Sequence, residues 1–432
     1  MATSSEPTKN DAAWSRLFEK YGILEQINTT GRYDITAMQI NEFREARLMT
    51  KFDHHINLPR LFKENDLTIL PISRGSYAIS HFDAYKKFVV QNNFDIISAS
   101  LPEHISSITV DDINSEALAL NCAYASGIVA HFVEDEGLLP TVSGRMSSAI
   151  FSCRIMNTKT RQPVNLTVTN SQVEIDGGYE GVRQLAIVEA KSFLSEDFLV
   201  RQLYYPYQLW RGRVSKPVTP VFLVYSNGIY HLYEYRFDSP DEYNSLTLVK
   251  HRHYSLESVS ISLEEIISIQ CNVSPLPEPE VPFPQADSFE RVVNLCELLR
   301  QSDRTREDIS LNYSFDARQA DYYANAGRYL GLIAKPDKAG NEASYSLTPE
   351  GQKLLRLGYK DRQLQLVTYI LRHRVFNEIL RLRLVHGEMP SLDDIVAVMR
   401  TCNLYRVDAD STLMRRASTV VSWINWILAL RR

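Results

Sequence analysis

The chain is poor in the residues that staple or anchor a protein. Its 432 residues include five cysteines, Cys122, Cys153, Cys271, Cys296 and Cys402, and no two stand in a Cys-x-x-Cys pair. That spacing supports neither a zinc site nor a disulfide framework. No apolar run approaches the roughly 20 residues that span a bilayer, so no membrane partner is expected. The opening MATSSEPTKNDAA lacks the apolar centre of a secretory leader, and residues 1–12 read as a disordered tail of a cytoplasmic protein. Short-period repeats are missing. So is a bulk positive charge, since 47 Lys and Arg face 52 Asp and Glu for a net charge of −5. The average hides a split. From Ser288 onward, 22 basic residues outnumber 17 acidic ones. A basic lobe beside an acidic one suits a DNA-binding module next to a metal-binding site.

What is present is the composition of an ordinary globular protein, 44% hydrophobic and 23% charged. The length implies two to four domains. Trp14–Ile27 and ITAMQINEFREARLMTKFD have helical spacing, the second offering Met38, Ile40, Phe43 and Leu48 for burial. LTILPISRGSYAIS alternates and turns at Arg74-Gly75-Ser76, as a hairpin does. SEALALNCAYASGIVAHFVEDEG reads as one long helix closing at Gly137. From Ile150 the period switches to strands: AIFSCRI, VNLTVTNSQVEID and QLAIVEAKS. A helix follows in EDFLVRQLYYPYQLWRG, with Glu196 and Asp197 in its first turn, and then a hairpin about Asn227-Gly228. That order describes a mixed sheet with helices packed on it, an α/β core.

The expected domains are 13–137, mostly helical; 138–273, the α/β core; 274–287, a linker with five prolines; 288–360; and 361–432. In 288–360, a short helix, a helix starting at Asp316 and a small hairpin suggest a winged helix-turn-helix. The last segment is helical and could be a second module of the same kind.

One stretch carries chemistry: VEIDGGYEGVRQLAIVEAKS, residues 173–192. Leu185, Ile187, Glu189 and Lys191 share one face of a strand, because strand side chains alternate. So apolar a run is usually a buried central strand. Burying a carboxylate and an ammonium at its end costs several kcal/mol each before pairing offsets it. A metal ion offsets it, and Mg²⁺ prefers one or two carboxylates plus water and phosphate oxygens. Asp176, read as the end of the previous strand before a Gly177-Gly178 turn, supplies the second carboxylate. An ion held by Asp176 and Glu189 polarises a phosphate oxygen and acidifies a water. Lys191 would orient that water or neutralise the phosphate. The implied reaction is phosphodiester hydrolysis.

Glu174-Ile175-Asp176 followed by Glu189-Ala190-Lys191 resembles the Asp…(Asp/Glu)-x-Lys signature of the PD-(D/E)xK nucleases. RQLYYPYQLW, with Gln202 and Gln208, resembles the glutamine-bearing helix that follows the signature in several such families. Over most of residues 13–360 the chain resembles prokaryotic type II restriction endonucleases. FDARQADYYANAGRYLGLI with YSLTPEGQKLL resembles a winged-helix segment of bacterial defence proteins. The resemblance implies an α/β PD-(D/E)xK core between a helical N-terminal domain and a C-terminal winged helix. It also implies a Mg²⁺-dependent homodimer that cuts double-stranded DNA at a specific sequence, leaves 5′-phosphates and needs no small-molecule cofactor. The catalytic set is then Asp176, Glu189, Lys191 and Gln202. The signature's leading proline is replaced by Ile175, which leaves Glu174 and Glu180 as rival first carboxylates. Some nucleases of this type use an acid from the preceding helix, but Glu134 and Glu136 read here as a solvated helix end.

Arg145, Arg201, Arg318, Arg328, Arg415 and Arg416 are the expected DNA contacts. His54-His55 and His251-x-His253 lack partners at ligand spacing and read as ordinary surface histidines. Two other readings share these features. One is a resolvase or repair nuclease that recognises DNA structure, the other a non-catalytic winged-helix regulator.

Overall fold

Asn227-Gly228 supplies two consecutive residues with positive φ, the backbone that a tight hairpin turn demands. Around that hairpin a seven-stranded mixed sheet is built. The computed structural model describes residues 7–89, 95–313, 315, 317–334, 344–407 and 409–431. The sheet runs in the spatial order Ile96–Ser98, Leu246–Ser255, Ile229–Phe237, Val218–Ser226, Leu185–Lys191, Gln172–Glu180, Leu139–Ser147. Leu185–Lys191 lies parallel to Val218–Ser226, and the Arg201–Arg211 helix makes the crossover between them. Ile96–Ser98 is parallel to its neighbour, and the remaining pairs are antiparallel.

Both faces of this sheet are covered. Phe222, Val224, Tyr233 and Tyr235 pack beneath Leu203, Tyr204 and Tyr205 of the Arg201–Arg211 helix. Val221, Leu223, Tyr230 and Leu232 pack beneath Ala119, Leu120, Phe132 and Val133 on the opposite side. All seven residues of Leu185–Lys191 are therefore buried, as an inner parallel strand requires.

Several local expectations change. The segment from Glu116 is two helices, Glu116–Ala125 and Ile128–Val133, because Gly127 adopts a φ of +74° and breaks the run. ITAMQINEFREARLMTKFD forms only the short helices Ala37–Asn41 and Ala46–Met49; Met38 is 80% exposed, while Ile40 and Met49 enter the core. Asp197 lies in a short strand, Asp197–Leu199, rather than in the next helix. The first helix starts at Lys9, capped by Thr8, inside the stretch expected to be a tail. Gly177-Gly178 is no turn. The strand continues to Glu180, because an added Cβ at Gly178 would stand 2.6 Å from the Cβ of Val142. The glycines let the Leu139–Ser147 strand pack close.

The proline-rich segment is no loose tether. Leu276 N–H donates to Arg372 O, the Trp423 indole donates to Ala286 O, and Phe283 is buried. It lies against a helical C-terminal region with its own core, in which Phe289–Gln301, Arg306–Asn312 and Ala317–Tyr329 accompany a two-stranded pairing of Arg304–Thr305 with Ser344–Tyr345. The Asp316 helix start falls outside the described residues. Four more helices follow from Tyr359, the first two separated by a break at Arg372-His373. No described helix is long and apolar enough to cross a membrane.

Gly178→Val should lower the melting temperature, since overpacking costs about 1–3 kcal/mol. Gly212→Ala, at a position with open space around it, should leave it within a degree or two. Thermal unfolding followed by circular dichroism checks both.

Candidate active site

Strand pairing between Gln172–Glu180 and Leu185–Lys191 ends at Val188 opposite Gly177. Continued by one residue, that register sets Glu189 against Asp176. Beyond it the ladder is completed by a side chain: Asp176 Oδ2 accepts the Ala190 N–H at 2.8 Å. The carboxylate is thereby fixed at the C-terminal end of the strand that carries Glu189 and Lys191.

Lys191 Nζ donates to Glu189 Oε1 at 2.5 Å, and Gln202 Nε2 donates to the same oxygen at 2.6 Å. Both charged side chains are only 11% exposed. Gln202 enters from the second residue of the crossover helix, and its Oε1 is buried without a hydrogen-bond partner. The four expected catalytic residues thus come together.

Two acids complete the cluster. Glu116, in the first turn of the Glu116–Ala125 helix, lies close to the backbone of Ser192 and within the field of Lys191 and Asp176. Asp53 arrives from the N-terminal region and faces Lys191, Lys51 and Arg201. Sequence reasoning looked for a helix acid at the wrong end. Ser115, a helix cap directly before a glutamate, is the signal that points to Glu116. Asp53 has no local signal.

The rivals lie elsewhere. Glu174 is exposed and pairs with Arg145 at 3.1 Å. Glu180 sits at the far end of the strand and pairs with Lys216 at 2.9 Å. Glu134 binds Lys250 and Arg252, and Glu136 is exposed.

The electrostatics follow from four carboxylates around one ammonium. Burial pushes the Glu189 carboxyl up to about 7, with Lys191 pulling it down and Asp176 adding to the rise. Burial opposes the charge on Lys191, but Glu189, Asp53, Glu116 and Asp176 outweigh it and hold the ammonium above its usual range. For Asp53, burial raises and the cations lower, and the cations prevail. The donor set is hard oxygen with excess negative charge, which fits a small divalent cation such as Mg²⁺.

The C-terminal region touches this site. Asn294 of the Phe289–Gln301 helix donates to Ser192 O at 3.1 Å and accepts the Leu194 N–H at 3.2 Å. Among the arginines, Arg145 and Arg415 are exposed. Arg201 stacks over Tyr205 and faces Asp53, so it belongs to the acid cluster. Arg328 donates to Asn325 at 2.8 Å. Arg416 is half-buried, with its Nε buried without a partner, and burial lowers its pKa. The side chain of Arg318 falls outside those described.

His54 is buried rather than on the surface, with Nδ1 2.5 Å from Asp197 O. His251 and His253 do have a partner at ligand distance. His231 joins them, one ring nitrogen from each of the three lying within 4.8 Å of the others.

Three family models match the chain, each described as a domain of unknown function: DUF6996 over residues 11–79, DUF6997 over 80–255 and DUF7226 over 291–432. No curated protein matches the chain, and no solved structure does. The second match ends at the last residue of the Leu246–Ser255 strand and contains Asp176, Glu189, Lys191, Gln202 and Glu116.

The Glu189 carboxyl holds its proton more tightly in the folded chain, near 7, than its ordinary 4.5. Its contribution therefore destabilises progressively as pH rises from about 4.5 through about 7. Glu189→Gln removes that dependence. In metal-free buffer the variant should melt on the order of 2–4 °C above the parent at pH 8, the shift that about 1 kcal/mol produces. The gap should close at pH 5. Paired thermal melts at the two pH values check this.

Proposed function

We propose that the chain is a Mg²⁺-dependent, sequence-specific endonuclease for double-stranded DNA, of the PD-(D/E)xK type and acting as a homodimer. The observation that carries this reading is the convergence of Asp176, Glu189, Lys191 and Gln202 at one strand end: Asp176 on the Ala190 N–H, Lys191 and Gln202 on one oxygen of Glu189. Isolated Glu-x-Lys pairs on exposed strands need no such burial or acid excess. A regulator without catalysis would gain nothing from the cost.

Glu189 and Asp176 would hold the ion, with Glu116 and Asp53 close by and the unpartnered Gln202 Oε1 as a further oxygen. Mg²⁺, when bound, supplies charge to a phosphate oxygen and acidifies a water. The chain's own residues do the positioning. Lys191, kept charged by the surrounding acids, offsets the negative charge that builds on the phosphate and holds the attacking water. Gln202 fixes the orientation of Glu189. Water adds to phosphorus as the bond to the 3′ oxygen breaks, which leaves a 5′-phosphate.

Sequence readout falls to the flanking regions. The helix order Phe289–Gln301, Arg306–Asn312, Ala317–Tyr329 with a small paired sheet supports the winged-helix reading of 288–360. Exposed Arg145 and Arg415 are available to phosphates, whose contacts set register while base edges specify.

Incubation with Mg²⁺ and plasmid and phage DNA should give discrete bands carrying 5′-phosphate ends. Glu189→Ala should abolish cutting while a gel shift persists. Gln202→Ala should slow it on the order of 10–100-fold, the usual cost of a group that orients a ligand. A smear would favour structure-directed cutting over site-specific cutting. No cleavage across diverse unmodified DNA would overturn the reading.

A further inference from the structure

The alternation of a β-strand puts His251 and His253 on one face of Leu246–Ser255. Antiparallel register sets His253 directly opposite His231, and His251 opposite Tyr233. Three imidazoles therefore meet on one face of two neighbouring strands. Ring centroids are 4.1 Å apart for His251 and His253 and 4.8 Å for His231 and His253. Tyr233 stacks on His251 at 3.8 Å and holds that ring in place.

The surroundings suit a ligand better than simple packing. Both ring nitrogens of His251 are buried with no hydrogen-bond partner. Buried polar atoms are rarely left so in native proteins, because their desolvation is uncompensated. Burial disfavours a charge on His231 and His251. The neutral ring is the form that binds metal.

We propose that His231, His251 and His253 form a binding site for a transition-metal ion of the Zn²⁺ class. Three imidazole nitrogens are borderline donors that suit such an ion and not Mg²⁺. Zn–N bonds of about 2.0–2.1 Å in tetrahedral array separate the nitrogens by roughly 3.3 Å. One nitrogen from each ring already lies within 4.8 Å of the others, so binding would draw the three together. Three protein ligands leave a fourth position for water or an anion. The ion would clamp the two strands beside the irregularity between Glu234 and Tyr235.

This site is distinct from the acid cluster, though on the same face of the sheet. Lys191 pairs with Val224, Val224 with His231 and His231 with His253. Two strand spacings, on the order of 10 Å, thus separate Lys191 from His231.

The test uses the full chain, stripped with a chelator. ZnCl₂ titration by calorimetry should show one ion per chain lost in His251→Gln and His231→Gln, with affinity at least a hundredfold lower and circular dichroism unchanged. CoCl₂ should give the intense visible absorption of a tetrahedral nitrogen site in the parent and in Glu189→Gln, but in neither histidine variant. Millimolar Mg²⁺ should not displace the Zn²⁺. Should one histidine variant misfold, the other decides. Absence of Zn²⁺ binding by the parent, or equal binding by a folded histidine variant, overturns the proposal. Loss of binding in Glu189→Gln alone would place the ion on the carboxylates and overturn it equally.

Discussion

An ammonium buried among carboxylates governs this molecule. Lys191 is held out of water by the strands around it, and four acids from four separate segments face it: Glu189 on its own strand, Asp176 on the neighbour, Glu116 from a helix and Asp53 from the N-terminal region. Each ion alone would be costly to bury. Together they outnumber Lys191, while Lys51 and Arg201 face Asp53, and burial raises the pKa of Glu189. The sheet, the helix cap and the N-terminal region are thereby tied to one charge balance.

The same sheet face offers two kinds of donor. Near Lys191 the available atoms are carboxylate and amide oxygens; two strand spacings away they are imidazole nitrogens. Hard and borderline ions partition between such sets by chemistry, not by fit alone. The two proposed sites, if both are filled, would therefore not compete for the same ion.

Legibility in the sequence followed the range of the forces. Glu189 and Lys191 were legible because alternation is local and an apolar strand ending in charge is conspicuous. Asp176 was legible although its setting was misread: Gly177 and Gly178 serve packing against Val142, not a turn. Gln202 rested on resemblance alone. Glu116 was hidden by reading two helices as one and weighing the wrong end. Asp53 could not be seen, since nothing near it in the chain foretells that the N-terminal region folds over a strand some 130 residues later. His231 was missed for a related reason. Leu246–Ser255 was not recognised as a strand, and only its register relates His231 to His253. Core packing, as in the sheet and its two covering layers, was easier to anticipate than any contact set by register.

Asn294 contributes one amide group to two bonds, taking the carbonyl of Ser192 with its nitrogen and the amide of Leu194 with its oxygen. A carboxamide is rigid and planar, so neither bond can lengthen without disturbing the other. The exit of the lysine strand is thus latched to the first helix of the basic C-terminal region, beside Phe193, which is buried in that region's core. Whatever displaces that helix frees two backbone groups in one motion, both within three residues of Lys191.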